Sequence, residues 1–167
     1  MSARPRNDLT FRTSSAGETQ KIGEVLGKLL RPHDIVRLEG TFGAGKTTLA
    51  QGIARGLGIS ENVTSPSFAL VNEYPARPGS NQPSLYHLDL YRLSDSTDVE
   101  SLGLEDYMVA EGVLVVEWGR HVAGELPEDS IVVDIRVEGD NRVISLSASN
   151  QRGAQLLEAL AGGASDG

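Results

Sequence analysis

The stretch Gly40-Thr41-Phe42-Gly43-Ala44-Gly45-Lys46-Thr47 decides how this chain is read. It satisfies the pattern G-x-x-x-x-G-K-[ST] at every fixed position. Ahead of it, Asp34-Ile35-Val36-Arg37-Leu38-Glu39 reads as a short buried strand. Behind it, Thr47 to Leu57 places Leu49, Ile53 and Leu57 on one helical face. The pattern therefore stands between a strand and a helix, the setting its chemistry requires. Glycines reach backbone torsions that other residues avoid. A loop built on them can turn successive N–H groups inward around a chain of phosphates. The helix that begins near Lys46 adds its positive dipole end and its free N–H groups. The expected nucleotide-binding residues are thus Gly40, Thr41, Phe42, Gly43, Ala44, Gly45, Lys46, Thr47 and Thr48. Lys46 is expected on the β- and γ-phosphates, and the Thr47 hydroxyl on a Mg²⁺ ion bridging them.

Composition sets the outer limits. A chain of 167 residues can bury the core of one domain. With 39% hydrophobic and 23% charged residues it reads as a globular protein and not a disordered one. It has no cysteine, which excludes disulfides and thiolate metal sites. A net charge of −8 argues against a broad nucleic-acid-binding face, so any action on nucleic acid is expected through a partner. There is no apolar signal core near the start and no apolar run of membrane-spanning length, so no membrane association and a cytoplasmic location are expected.

Working outward from the loop, 1–8 reads as a loose tail, 9–160 as one domain and 161–167 as a second tail. Leu9 to Thr13 alternates like a strand. Ser15 with Glu18 fits a capping box, followed by Ile22, Val25, Leu26, Leu29 and Leu30 at helical spacing. Phe68–Tyr74 and Ser84–Tyr91 read as two strands able to form a hairpin, around a Pro/Gly-rich loop from Pro75 to Pro83. Ser96–Met108 reads as an acidic helix, and Gly112–Trp118 as a compact buried strand. Ile131–Val137 and Val143–Ala148 alternate across a turn at Gly139-Asp140-Asn141. Gln151–Leu160 is a weak helix. The pattern predicts an α/β protein, a P-loop NTPase-like single domain with a central mixed sheet flanked by helices.

A phosphate loop needs an acid for Mg²⁺, usually at the end of a buried strand. Glu117 ends the aliphatic run Val113-Leu114-Val115-Val116, and Asp89 lies within Leu88-Asp89-Leu90. Either one serves, although Asp89 also suits a solvent-facing position. Ser65 and Ser67 offer hydroxyls near a γ-phosphate, or simply form a Ser-Pro turn. Trp118, the single tryptophan, walls the site or faces a partner. His87 is a possible base, though a histidine in a strand is more often packed. Arg92 pairs with Asp89 or reaches phosphate.

The ordered set Leu38–Thr48, Ser65-Pro66-Ser67-Phe68, Asn72-Glu73-Tyr74, His87-Leu88-Asp89-Leu90-Tyr91-Arg92 and Val116-Glu117-Trp118 resembles the TsaE family. These are bacterial ATPases of tRNA threonylcarbamoyladenosine modification, and the resemblance runs from about Leu9 to Ala148. It implies an ATPase that uses ATP and Mg²⁺, works with TsaD and TsaB, and meets tRNA only through that complex. By position, Lys46 and Thr47 match the family's phosphate and Mg²⁺ residues. Asp89 and Glu117 match its essential acids, and Trp118 its following aromatic. The resemblance thus implies Lys46, Asp89 and Glu117 as catalytic residues, Thr47, Asp89 and Glu117 as metal residues, and Ser67 and Trp118 beside the nucleotide. Two positions depart from the family. Ser67 stands where threonine is usual and keeps the hydroxyl; Phe42 stands where leucine is frequent, in a loop that binds through its backbone.

Two other readings compete. A non-hydrolysing module that uses nucleotide only to set its shape would share the loop. A small-molecule kinase would add an arginine-bearing lid, but the Pro75–Pro83 loop holds only Arg77. No arginine is an obvious finger, so slow intrinsic turnover completed by a partner is expected.

Overall fold

The computed structural model describes residues 7–41, 43–64, 71–90, 103–118 and 130–165. Within them lie seven strands: β1 (Asp8–Thr13), β2 (Ile35–Gly40), β3 (Val71–Tyr74), β4 (Ser84–Asp89), β5 (Gly112–Glu117), β6 (Ile131–Glu138) and β7 (Asn141–Ser147). Four helices accompany them: α1 (Ala16–Leu29), α2 (Lys46–Gly56), α3 (Leu104–Val109) and α4 (Gln151–Ser165). The strands form one sheet in the order β1-β7-β6-β2-β5-β4-β3. The central pairs β6–β2, β2–β5 and β5–β4 are parallel. The marginal pairs β1–β7, β7–β6 and β4–β3 are antiparallel. This is the expected mixed sheet, with the phosphate loop leaving its centre.

β5 explains the parallel middle. All six of its residues are buried, as a strand covered on both faces must be. Its neighbours β2 and β4 divide their residues between two layers. On one face Val36, Leu38, Leu85, Val113, Val115 and Val133 pack with Ile22 and Leu26 of α1, Leu49 and Ile53 of α2, and Leu157 of α4. On the other, Ile35, Leu88, Leu114 and Val116 pack with Tyr107 and Met108 of α3.

α1 and α2 approach closely because glycines face each other between them. A Cβ on Gly52 would lie 2.2 Å from the Gln20 carbonyl oxygen, and one on Gly56 2.2 Å from that of Glu24. Gly23 and Gly27 meet α2 in the same way, at 2.5 Å from Leu49 O and 2.3 Å from Ile53 O.

The structure moves several expected boundaries. β1 begins at Asp8, inside the expected tail, and α4 continues to Ser165, past the expected end at Leu160. The two strands around the Pro/Gly loop do pair as a hairpin, Val71↔Leu88 to Tyr74↔Leu85, although 68–70 lie outside the described residues. Of the helix expected over Ser96–Met108, the described part is α3. The turn between β6 and β7 is tighter than expected. Asn141 pairs with Glu138, leaving Gly139-Asp140 as a two-residue loop with Gly139 at φ 61°, as a type II′ hairpin demands. Only half of the expected capping box closes. Ser15 Oγ accepts from Glu18 N at 3.1 Å, but the Glu18 carboxylate accepts from Ser14 N at 2.6 Å, one residue before the cap.

Candidate functional site

The phosphate loop runs from the carboxyl end of β2 into α2. At Gly40 (φ 148°) a Cβ would stand 2.6 Å from the Ile135 carbonyl oxygen on β6, so the neighbouring strand itself excludes a side chain. Gly45 caps α2 in the left-handed region (φ 116°) and, as a glycine, brings no side-chain cap to the helix start. Those donors and the dipole end of α2 point into the loop, a ready anion site.

Lys46, the first residue of α2, is only 6% exposed. Its Nζ donates to Gly40 O at 2.6 Å and to Thr41 O at 3.5 Å, and sits 3.7 Å from the centre of the Trp118 ring. Burial holds the Lys46 ammonium below its ordinary range, while the carboxylates of Glu117, Asp89 and Glu39 pull it back up. Trp118 reaches the lysine through an unusual backbone. It has φ 62°, left-handed and rare for a bulky residue. A non-glycine residue in that region costs about 1–2 kcal/mol. The turn comes directly after β5 ends and folds the ring back over the cleft.

Asp89 and Glu117 are register partners at the carboxyl ends of β4 and β5, and Glu117 is also level with Leu38 of β2. Their side chains therefore emerge on one face at one height. A cleft of about 410 Å³ is lined by Gly43, Gly45, Lys46, Thr47, Thr48, Asp89, Glu117 and Trp118. Of the described residues expected in the site, only Gly40, Thr41 and Ala44 are not in this wall; Gly40 and Thr41 instead supply the carbonyls that hold Lys46. Phe42, Ser65, Ser67 and Arg92 lie outside the described residues. The site falls outside the carboxyl ends of parallel strands, where open α/β sheets bind ligands.

Three further residues bear on the site: His87, read from the sequence as either a possible base or a packed residue, and Glu39 and Arg142, which had no assigned role. His87, two residues before Asp89, is fully buried, and its Nε2 lies 2.6 Å from Glu117 Oε2. Glu39, 4% exposed, accepts from Arg37 Nη2 at 3.0 Å. Arg142, at the start of β7, donates from Nε to Ala44 O at 3.0 Å and so braces the loop. Arg142 also lines a second cavity of about 230 Å³, which shares Gly43, Gly45 and Thr48 with the cleft and has Ser14, Ser15, Thr19 and Asp140 among its other walls. The alternation around His87 put it on the face of Asp89, which is a usable signal. Nothing local pointed to Arg142, which acts across 98 positions of sequence.

The residues fit a Mg²⁺ ion bound with phosphates. Thr47, Asp89 and Glu117 present oxygen donors on one cleft. Among the described residues no group of three or more His, Cys, Asp or Glu forms a dedicated metal cage. Mg²⁺ commonly takes one or two carboxylates and completes its shell with phosphate and water. Among the described residues no helix is long and apolar enough to cross a membrane.

Fold and site together define an α/β P-loop protein with two strand-end carboxylates facing the loop. Comparison with known proteins narrows this class. The family model "Threonylcarbamoyl adenosine biosynthesis protein TsaE" matches residues 13–144. A Treponema pallidum protein named tRNA threonylcarbamoyladenosine biosynthesis protein TsaE is 42% identical over 134 residues, covering 80% of this chain and 96% of that one. The Bacillus subtilis protein of the same name is 38% identical over 153 residues, covering 91% and 93%. The crystal structure of Bacillus subtilis YdiB superimposes with a TM-score of 0.78 at 32% identity, covering 95% of this chain and 97% of that one. The chain belongs to the TsaE family of tRNA threonylcarbamoyladenosine biosynthesis proteins.

Proposed function

We propose that the protein binds Mg-ATP in this cleft and hydrolyses it slowly, in support of a TsaD–TsaB enzyme that modifies tRNA. The observation that carries this reading is the meeting of Lys46, Thr47, Asp89 and Glu117, from two strand ends and one helix, around one cleft at the phosphate loop. The N–H groups of the loop and of the first turn of α2 would hold the β- and γ-phosphates. Lys46 would exchange its carbonyl partners for phosphate oxygens, with the Trp118 ring screening it from water. Thr47 and one or both acids would hold Mg²⁺, which when bound neutralises charge on the leaving and transferred phosphates. The remaining carboxylate oxygen would orient a water in line with the γ-phosphorus. Catalysis would then rest on positioning and charge stabilisation, not on covalent chemistry.

The nucleoside end would occupy the second cavity, which shares Gly43, Gly45 and Thr48 with the cleft but neither acid, and has Ser14, Ser15, Asp140 and Arg142 as polar walls. A net charge of −8 fits contact with tRNA only through the partner complex.

Phosphate release from Mg-ATP, with and without TsaD and TsaB and with Lys46→Ala as control, tests the reading. Low basal release that rises with the partners and vanishes in the variant supports it. ATP binding with no release under any condition would replace it with a module that uses nucleotide only to set its shape. A phosphorylated acceptor would replace it with a kinase.

A further inference from the structure

We propose that His87 is a positioning residue for Glu117, donating from Nε2 to Oε2 and so aiming the other carboxylate oxygen into the cleft. This rests on the ATPase reading above and assigns a role within it.

His87 and Asp89 are two apart on β4 and share a face; Val115 and Glu117 are their register partners on β5. Leu85, Val113 and Val115 of the same layer belong to the apolar core against the helices. An imidazole is therefore set in an aliphatic layer, with no exposure at all. Packing alone would be served better by leucine, which brings no polar atom into the core.

Among the described residues the ring has one hydrogen-bond partner: Nε2 lies 2.6 Å from Glu117 Oε2, whereas Nδ1 is buried with none. That asymmetry selects the tautomer. A proton on Nδ1 would be a buried donor with nothing to receive it. It would also leave Nε2 as a bare lone pair facing a carboxylate oxygen. The Nε2–H form satisfies the acid and leaves only an acceptor unmet. Glu117, itself 3% exposed, then has one oxygen tied to His87 and still lines the cleft. Without the histidine its carboxylate would be free to rotate away from Lys46 and Asp89.

Two measurements decide it. In nucleotide-free protein, long-range ¹H–¹⁵N correlation of the His87 ring should show the Nε2–H tautomer; an Nδ1–H tautomer would overturn the proposal. In phosphate-release kinetics, His87→Leu should lower kcat about 10- to 100-fold, the usual effect of removing a hydrogen-bond partner from a ligand or catalytic carboxylate. KM should change little, because the phosphate loop is untouched. His87→Gln, whose amide nitrogen can replace Nε2, should recover most of the rate. A folded His87→Gln protein as slow as His87→Leu would show that the ring only fills space. No release by the wild type would instead count against the hydrolysis reading. The tautomer, read without nucleotide, separates those two failures.

Discussion

Gly52→Ala tests whether the glycine contacts between α1 and α2 set the position of the phosphate loop. The new Cβ would lie 2.2 Å from Gln20 O and 3.0 Å from both Gln20 C and Gly23 Cα. A relaxed carbon–oxygen contact is about 3.3 Å or longer, so the helices must part by roughly 1 Å. All three neighbours are backbone, so no side chain can swing aside. Overpacking of this kind costs about 1–3 kcal/mol, while alanine in place of glycine returns about 0.8–1 kcal/mol of helix propensity. A 2.2 Å contact against backbone alone belongs at the upper end of that cost, so the balance is a loss of about 1–2 kcal/mol, and at about 2–4 °C per kcal/mol for a chain of this size the Tm falls by about 2–8 °C. Gly162 in α4 is the control: nothing lies within 4 Å of its Cβ position, so Gly162→Ala gains propensity without a clash and should raise Tm. Thermal unfolding by circular dichroism reads both. The displacement would also reach Lys46, less than two turns up α2, so nucleotide titration followed by Trp118 emission should show weaker binding in Gly52→Ala alone. An unchanged or raised Tm for Gly52→Ala would refute the reasoning. A fall for both variants would refute it as well.

Lys46 supplies a pH signature in the protein without nucleotide. Its folded pKa is lowered from 10.5 by burial, so between the lowered value and 10.5 the unfolded chain binds more protons and stability rises with pH. Lys46→Met removes this term, and its urea midpoint should climb less with pH than that of the wild type; parallel profiles would contradict the assignment. Arg142→Ala removes the brace on Ala44 O. Hydrogen bonds from charged groups are worth about 1.5–3 kcal/mol, so the Kd for ADP should rise about tenfold or more; an unaltered Kd by Trp118 emission would show that the loop holds its shape unaided. Ser15→Ala deletes the α1 cap to Glu18 N, at a cost of ~1 kcal/mol or about 2–4 °C in Tm; a Tm equal to the wild type would mean that Ser14 and Glu18 carry the helix start without it.

Sequence alone determined whatever depends on neighbours in the chain. The glycines and Lys46 of the loop, the aliphatic run into Glu117, the Ser15 cap and the alternation of β6 and β7 are local patterns, and backbone sterics and side-chain periodicity translate them directly into strand, loop and helix. Asp89 was legible as a candidate, but its value came from its register with Glu117, which pairs residues 28 positions apart. Groups that meet across the fold are settled only when the chain closes on itself. The strand order sets β5 beside β2 and β4 beside β5, so that two acids face one lysine. His87 meets Glu117, Arg142 meets Ala44, and Trp118 turns through a positive φ onto Lys46. Gly23 and Gly27 of α1 allow a close helix contact only because the fold sets Gly52 and Gly56 of α2 against them. The physical reason is the same in each case. A hydrogen bond or a close packing contact acts over a few ångströms of space, and a sequence pattern reports spacing along the chain, not which distant segments the closed core will press together.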